Sequence, residues 1–116
     1  MSFVETEING QILTIRLNRP ERLNALSTVI RNGMAEAFNR FHEDNDLEVA
    51  ILTGTGRGFC AGEDMKESLD RGIPGSPKEF VEENLVDPFQ TGVLQKPVIA
   101  AVNGFAMGGG FMLVER

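Results

Sequence analysis

The sequence predicts an α/β fold, and three features of its pattern support this prediction. Near the start, two stretches of alternating apolar and polar residues flank an Asn-Gly pair, as in a β-hairpin. A helical repeat of apolar residues follows. Two continuous apolar runs come later, each followed directly by a glycine-rich loop, and such runs are typical of parallel strands covered on both faces.

The hairpin is predicted from residues 3–8 and 11–17, joined by a turn at Asn9-Gly10. Leu13, Ile15 and Leu17 alternate with polar residues and should therefore share one buried face.

The first helix should begin after Ser27, whose hydroxyl can cap it, and should end at the polar cluster 44–46. Gly33 costs up to ~1 kcal/mol relative to alanine within a helix, so its place on the apolar stripe predicts close packing there. The apolar stripe with a period of 3.6 residues consists of Val29, Ile30, Gly33, Met34, Ala37, Phe38 and Phe41.

The second half of the chain repeats one arrangement. Strands are predicted at 49–53 and 98–102, and glycine-rich loops follow them at 56–62 and 103–110. If these strands are parallel neighbours, both loops reach the same edge of the sheet. Between the strands, Ser76 begins a capped helix that Pro88 interrupts. The preceding Gly/Pro-rich segment, 71–77, is either a lid over a ligand or an ordinary surface loop.

Composition limits the classes of protein that this chain can represent. It has 116 residues, 41% of them hydrophobic, and a formal net charge of −6 without a basic run, which argues against a nucleic-acid or anionic-membrane surface. No apolar run approaches the ~18 residues of a membrane span, the start lacks the blocks of a signal peptide, and one cysteine permits no internal disulfide. We therefore predict one soluble, cytoplasmic domain or part of one, residues 1–116, that binds neither nucleic acid nor membrane.

The two glycine-rich loops predict a site for a negatively charged oxygen, because helix starts present unpaired N–H donors and a positive dipole end. Residues 56–61 formally fit the G-x-G-x-x-G/A fingerprint of nucleotide-binding Rossmann proteins. However, Glu63 and Asp64 stand where the pyrophosphate would lie, and no acidic residue follows a strand about twenty residues later. No G-K-[ST] follows either loop, which excludes a P-loop. The favoured ligand is an oxyanion on a reacting carbonyl, held by one N–H from each loop.

Three motifs resemble those of the crotonase superfamily, the enoyl-CoA hydratases and isomerases. They are LNRPERLNALS at 17–27, GRGFCAGEDMKE at 56–67 and KPVIAAVNGFAMGGG at 96–110. The resemblance implies the N-terminal portion of a crotonase-like spiral of ββα units, without the C-terminal helical region used in trimer assembly. It also implies binding of acyl-CoA thioesters, with coenzyme A as part of the substrate and no separate cofactor. By the same resemblance we expect a homo-oligomer, either a trimer or a trimer-based assembly.

The resemblance assigns roles to individual residues. The backbone N–H groups of Glu63 and Gly109 would form an oxyanion hole for the thioester oxygen. Arg22 and Lys66 would contact the phosphates of coenzyme A, with ordinary solvated charges as the alternative, and Ala61 would contact its adenine end. The residues expected to bind substrate and coenzyme A are Arg22, Ala25, Ala61, Glu63, Asp64, Met65, Lys66, Gly108 and Gly109.

Two departures from the family pattern leave the proton-transfer groups open. Where hydratases carry a glutamate that acts on water, this chain has Met112, and Glu115 is better interpreted as a surface charge. Relatives run more than twice as far, with further catalytic acids beyond Arg116. The alternative to an enzyme is therefore a truncated, catalytically incomplete fragment that binds coenzyme A or serves in assembly. The apolar run 111–114 further predicts that the folded chain oligomerises or exposes an apolar patch.

Two further kinds of site receive little support. Cys60 could pair with His42 as nucleophile and base, but a small buried cysteine is the favoured interpretation, because His42 lies in the solvated segment RFHED. One histidine, one cysteine and scattered carboxylates lack the spacing of metal ligands.

Overall fold

The computed structural model describes residues 3–62 and 87–106. In chain order, the elements are β1 (Val4–Asn9), β2 (Ile12–Leu17), a 3-10 helix (Pro20–Arg22), α1 (Thr28–Glu43), β3 (Val49–Gly54), β4 (Gly58–Cys60), α2 (Pro88–Thr91), β5 (Val98–Ala101) and β6 (Phe105–Ala106).

The strands form two sheets. The larger sheet has the order β1-β2-β3-β5, in which β1 and β2 are antiparallel while β2, β3 and β5 run parallel. The smaller sheet consists of β4 and β6, which are also parallel. The predicted hairpin and the predicted parallel pair are both confirmed, and the α/β class with them.

The turn of the hairpin comes one residue later than predicted. Asn9 pairs with Ile12 and so belongs to β1, which leaves Gly10 and Gln11 as the two loop residues. Gly10 has a φ of 63°, and a positive φ at the first loop position alone is that of a type II′ turn.

Helix α1 begins and ends as predicted. The hydroxyl of Ser27 accepts a hydrogen bond from the Ile30 amide at 3.3 Å, and Asp44 is the residue after the last turn. The predicted close packing of Gly33 is confirmed, because a Cβ there would lie 2.8 Å from Cγ2 of Val4. Val29 was wrongly placed on the buried stripe: it is 59% exposed, because it lies one residue, about 100° of helix rotation, before Ile30.

The core lies between α1 and one face of the larger sheet. Its largest fully buried members are Phe38, Phe41, Phe59, Leu13, Ile15, Leu17, Ile30, Leu47 and Leu52. Phe38 stacks on Phe89 of α2 with ring centroids 4.7 Å apart. The prediction that β3 is covered on both faces is wrong in part, since Ala50 and Leu52 are buried whereas Ile51 on the opposite face is only half-buried.

Pro88 is the first residue of α2, a position that its fixed φ favours. The Asp87 carboxylate accepts a hydrogen bond from the Phe89 amide at 2.9 Å and so satisfies one amide of this helix start. The helix predicted from Ser76 and the segment 71–77 lie outside the described residues. Within the part of the chain that is described, no helix has the length and apolar character needed to cross a bilayer.

Candidate functional site

The segments that follow β3 and β5 lie side by side. Because these two strands are parallel neighbours, their carboxyl ends meet at the same edge of the sheet. Sequence analysis treated both segments as loops, but each contains a short strand. β4 pairs with β6 through Gly58 with Phe105 and Cys60 with Ala106. Strands of two or three residues carry no measurable period, so the pattern could not reveal them.

A third segment, residues 19–27, closes over the first of these loops. After the 3-10 helix, Leu23 and Asn24 have left-handed φ values of 54° and 56°, which turn the chain back toward β4. The Ala61 amide then donates to the Leu23 carbonyl at 3.0 Å, and the Leu26 amide donates to the Gly62 carbonyl at 2.6 Å. Gly62 itself has a φ of 92°, a value that favours glycine.

Two of the predicted coenzyme A contacts are brought together by these bonds. Ala25 lies between the two bonded residues of its segment and is 7% exposed, and Ala61 begins the partner segment and is half-buried. Arg22, the last residue of the 3-10 helix, is also half-buried and lies three positions from Ala25.

Asn24 ties the three segments into one unit. Its side chain is fully buried and accepts a hydrogen bond from the Arg19 amide at 2.8 Å. Its Nδ2 donates to the carbonyls of Thr55 and Gly58, both at 3.0 Å. Asparagine adopts the left-handed region more readily than most residues, so an asparagine between two predicted elements is the sequence signal that could have marked this position.

Asn103 makes an equivalent set of bonds from the segment after β5. Its Oδ1 accepts from the Gly54 amide at 3.1 Å, and its Nδ2 donates to the carbonyls of Gly56 at 2.8 Å and Gly58 at 3.4 Å. Neither asparagine was selected by sequence analysis, although both lie within the resembling motifs.

The remaining predicted site residues lie outside the described ranges 3–62 and 87–106. These are Glu63, Asp64, Met65, Lys66, Gly108 and Gly109, together with Met112 and Glu115.

Cys60 lies in the core and is fully buried. Burial raises the pKa of its thiol above the ordinary value of 9.0, while a backbone hydrogen bond to Gly62 and the charge of Arg31 act in the opposite direction. His42 is exposed at the end of α1. These positions fit the predicted structural role for Cys60, because a neutral, desolvated thiol is a poor nucleophile.

The described part of the site offers backbone groups rather than reactive side chains. Among residues 3–62 and 87–106, no cluster of three or more His, Cys, Asp or Glu side chains could hold a metal ion. What converges here are the ends of two pairs of parallel strands, β3 with β5 and β4 with β6.

Comparison with known proteins shows which family the chain resembles. The sequence profile of the family described as "Enoyl-CoA hydratase/isomerase" matches residues 7–115. The chain is 36% identical over 116 residues to the 1,2-epoxyphenylacetyl-CoA isomerase of Escherichia coli K12, covering 97% of this chain and 44% of that protein. It is 43% identical over 105 residues to the carnitinyl-CoA dehydratase of Proteus mirabilis, covering 90% of this chain and 39% of that protein.

Comparison with solved structures supports the same family. The crystal structure of an enoyl-CoA hydratase from Mycobacterium tuberculosis H37Rv matches with a TM-score of 0.80 and 38% identity, covering 98% of this chain and 43% of that one. The chain thus spans less than half the length of these relatives and corresponds to their N-terminal part. The fold is the N-terminal portion of the crotonase fold, and the chain belongs to the enoyl-CoA hydratase/isomerase family of the crotonase superfamily.

Proposed function

We propose that the chain binds an acyl-CoA thioester and stabilises negative charge on the thioester oxygen with the backbone N–H groups of Glu63 and Gly109. The observation that carries the proposal is the parallel pairing of β4 with β6. β4 leads through Gly62 to Glu63, and β6 ends three residues before Gly109. Two adjacent parallel segments therefore run toward the two proposed donors in the same direction.

Backbone donors suit this chemistry because charge develops on the oxygen only as the reaction proceeds. Amides that are already fixed need no reorganisation at that moment, and one such donor contributes roughly 2.7–4 kcal/mol to the transition state. Family membership supports the thioester as the source of the oxygen, since the relatives named above act on coenzyme A derivatives.

The contacts to coenzyme A are proposed for the surface formed by residues 22–26 and 61–62. Backbone hydrogen bonds from Ala61 to Leu23 and from Leu26 to Gly62 join the two segments that carry Ala25 and Ala61, and the proposal places the pantetheine and adenine parts along them. Arg22 and Lys66 would pair with the phosphates. A local cation is needed, because the chain as a whole carries a net charge of −6.

The reaction class is hydration, dehydration or double-bond isomerisation at a thioester. No residue is proposed for proton transfer, because Met112 stands where hydratases of the family carry a glutamate. That methionine favours the second candidate, a non-catalytic fragment that binds coenzyme A or serves in assembly. A homo-oligomer remains a prediction for either candidate, and sedimentation velocity would test it.

Calorimetric titration of the chain with an α,β-unsaturated acyl-CoA and with free coenzyme A tests the proposal. We expect the acyl-CoA to bind more tightly, because only it offers a thioester carbonyl oxygen to the two donors. Equal affinities, or no binding of either ligand, would contradict the proposal. Loss of the enoyl-thioester absorbance on incubation would identify an enzyme, whereas binding without turnover would identify the non-catalytic fragment.

Two substitutions at one position isolate the proposed donor. Glu63→Ala removes the side chain and keeps the N–H group, while Glu63→Pro removes the N–H group as well. We expect Glu63→Pro to lose most of the preference for acyl-CoA over coenzyme A, and to lose far more of it than Glu63→Ala. Where turnover is measurable, the expected fall in kcat for Glu63→Pro is about 10²–10³. Similar losses in the two variants would exclude the N–H group as the donor.

A further inference from the structure

We infer that Asn24 and Asn103 are positioning residues that jointly fix the loop 54–62 and thereby align the two proposed oxyanion donors. The inference rests on the proposed function for its catalytic meaning. Its geometry comes from contacts among described residues alone.

Asn24 holds the loop from the side of residues 19–27. Its side-chain amide is the buried donor to two loop carbonyls, those of Thr55 and Gly58. These carbonyls lie 31 and 34 residues away along the chain, so the bonds link separate segments. The same side chain accepts from the Arg19 amide, which orients the amide group and leaves its donors facing the loop.

Asn103 holds the loop from the side of β5 and β6. It accepts from the Gly54 amide at the end of β3 and donates to the Gly56 and Gly58 carbonyls further along. One planar amide thus spans both ends of the turn at Gly54–Gly58. Because Asn103 comes two residues before β6, its bonds set the position of β6 relative to this turn.

The two asparagines meet at one atom, the carbonyl oxygen of Gly58. It accepts from Asn24 Nδ2 at 3.0 Å and from Asn103 Nδ2 at 3.4 Å, so both of its acceptor positions are used. All three motif segments are joined at this oxygen, which lies on the β4 strand that leads to Glu63. The peptide group after Gly58 is therefore held in one orientation, and fixed donors are what stabilisation of an oxyanion requires.

Near-isosteric substitutions separate this role from simple filling of space. Asn103→Asp and Asn24→Asp keep the acceptor oxygen but replace the N–H donors by a carboxylate oxygen that faces the Gly58 carbonyl. Asn45→Asp is the matched control, because it makes the same chemical and charge change at an exposed asparagine in the turn after α1. Circular dichroism first establishes that each variant is folded. Asn103 is exposed, so Asn103→Asp carries the test if Asn24→Asp does not fold.

The first measurement is the ratio of acyl-CoA affinity to coenzyme A affinity. We expect Asn103→Asp to lower this ratio about fivefold or more, equivalent to about 1 kcal/mol, while the control variant keeps the ratio of the parent chain. An equal loss of affinity for both ligands would show a merely structural role and overturn the inference. A ratio unchanged from that of the parent chain in the folded variants would overturn it as well.

The second measurement is hydrogen–deuterium exchange of residues 54–62 without ligand. We expect faster exchange in Asn103→Asp and no change in Asn45→Asp. Unchanged exchange would overturn the inference, whatever the parent chain binds. If the parent chain binds neither ligand, the proposed function fails, and this exchange still decides whether the asparagines fix the loop.

Discussion

Cys60 shows how burial determines the chemistry of a single side chain. It is fully buried among core residues that include Phe59, and desolvation is the largest cause of its raised pKa. The thiol therefore stays neutral in the folded chain at pH values where an unfolded chain would begin to ionise it. Its contribution is packing rather than nucleophilic chemistry.

This raised pKa predicts a loss of stability at alkaline pH. Because the folded state keeps the thiol proton longer than the unfolded state, the contribution is complete below pH 9.0, the ordinary thiol value. It declines as the pH rises from there through the higher pKa of the folded state. For one proton, the steepest slope is about −1.4 kcal/mol per pH unit.

Urea unfolding at a series of pH values from neutral to alkaline would measure this slope, with Cys60→Ala as the reference. We expect the free energy of unfolding of the parent chain to fall more steeply than that of Cys60→Ala above pH 9.0. Parallel curves for the two proteins would show that the thiol titrates normally.

At the scale of the element, α1 depends on partners at both ends. Ser27 satisfies an amide at its start. At its end, Lys96 Nζ donates to the carbonyls of Phe41 and Asp44, both at 2.7 Å, and lies 5.1 Å from the centroid of the Phe41 ring. A cation at this end also interacts favourably with the helix dipole. Lys96, two residues before β5, thus stabilises a helix that ended more than fifty positions earlier.

We predict that Lys96→Met lowers the free energy of unfolding by about 1–2 kcal/mol, because it keeps the aliphatic stem and removes the charged donor. Chemical denaturation measures this change. Arg40→Met removes the same charge from an exposed side chain of the same helix and should cost less than about 0.5 kcal/mol. Equal losses would attribute the effect to net charge instead of to the two hydrogen bonds.

For these elements, the sequence pattern predicted only features that depend on residues close together in the chain. The 3.6-residue period located Ile30, Met34 and Phe38, and the hydroxyl of Ser27 marked the helix start. Val29 was misplaced because the period locates the centre of the apolar stripe on the helix. The edges of that stripe depend on which elements pack against the helix. β4 and β6 were missed because strands this short have no period, and pairing with each other defines them.

The same limit applies to the site. Ala25 and Ala61 were selected through the family resemblance, and the backbone bonds between their segments bring them together. Asn24 and Asn103 were not selected, because their structural role depends on hydrogen bonds to carbonyl groups that lie 31 to 47 residues away along the chain. Long-range partners of a polar side chain leave no periodic trace in a sequence.

For the molecule as a whole, the two segments that lead from the larger sheet into the smaller one pack closely against each other. Gly104 connects β5 of the larger sheet to β6 of the smaller one. A Cβ added to Gly104 would overlap the Arg57 carbonyl and lie 3.1 Å from Gly58 Cα. The backbones approach here without room for a side chain, so the position of β6 beside β4 depends on this glycine.

Gly104→Ala should therefore lower the free energy of unfolding by about 1–3 kcal/mol through overpacking and accelerate hydrogen exchange in residues 54–62. Gly10→Ala provides the comparison. It has a φ of 63° and no atom within 4 Å of an added Cβ, so it should destabilise the hairpin by about 1 kcal/mol without altering exchange in that loop. Unaltered exchange in Gly104→Ala would mean that the two segments adjust to the methyl group.

Strand β1 lies at one end of the larger sheet, as far as the chain is described, and its outer row of backbone groups is not paired within that sheet. Its alternate residues Glu5 and Glu7 are exposed, with Asn18 bonded to the first and Arg16 near the second. If a second copy added its own β1 in antiparallel fashion, these carboxylates would oppose their counterparts across the new ladder. Such repulsion would disfavour edge-to-edge association of two copies through β1.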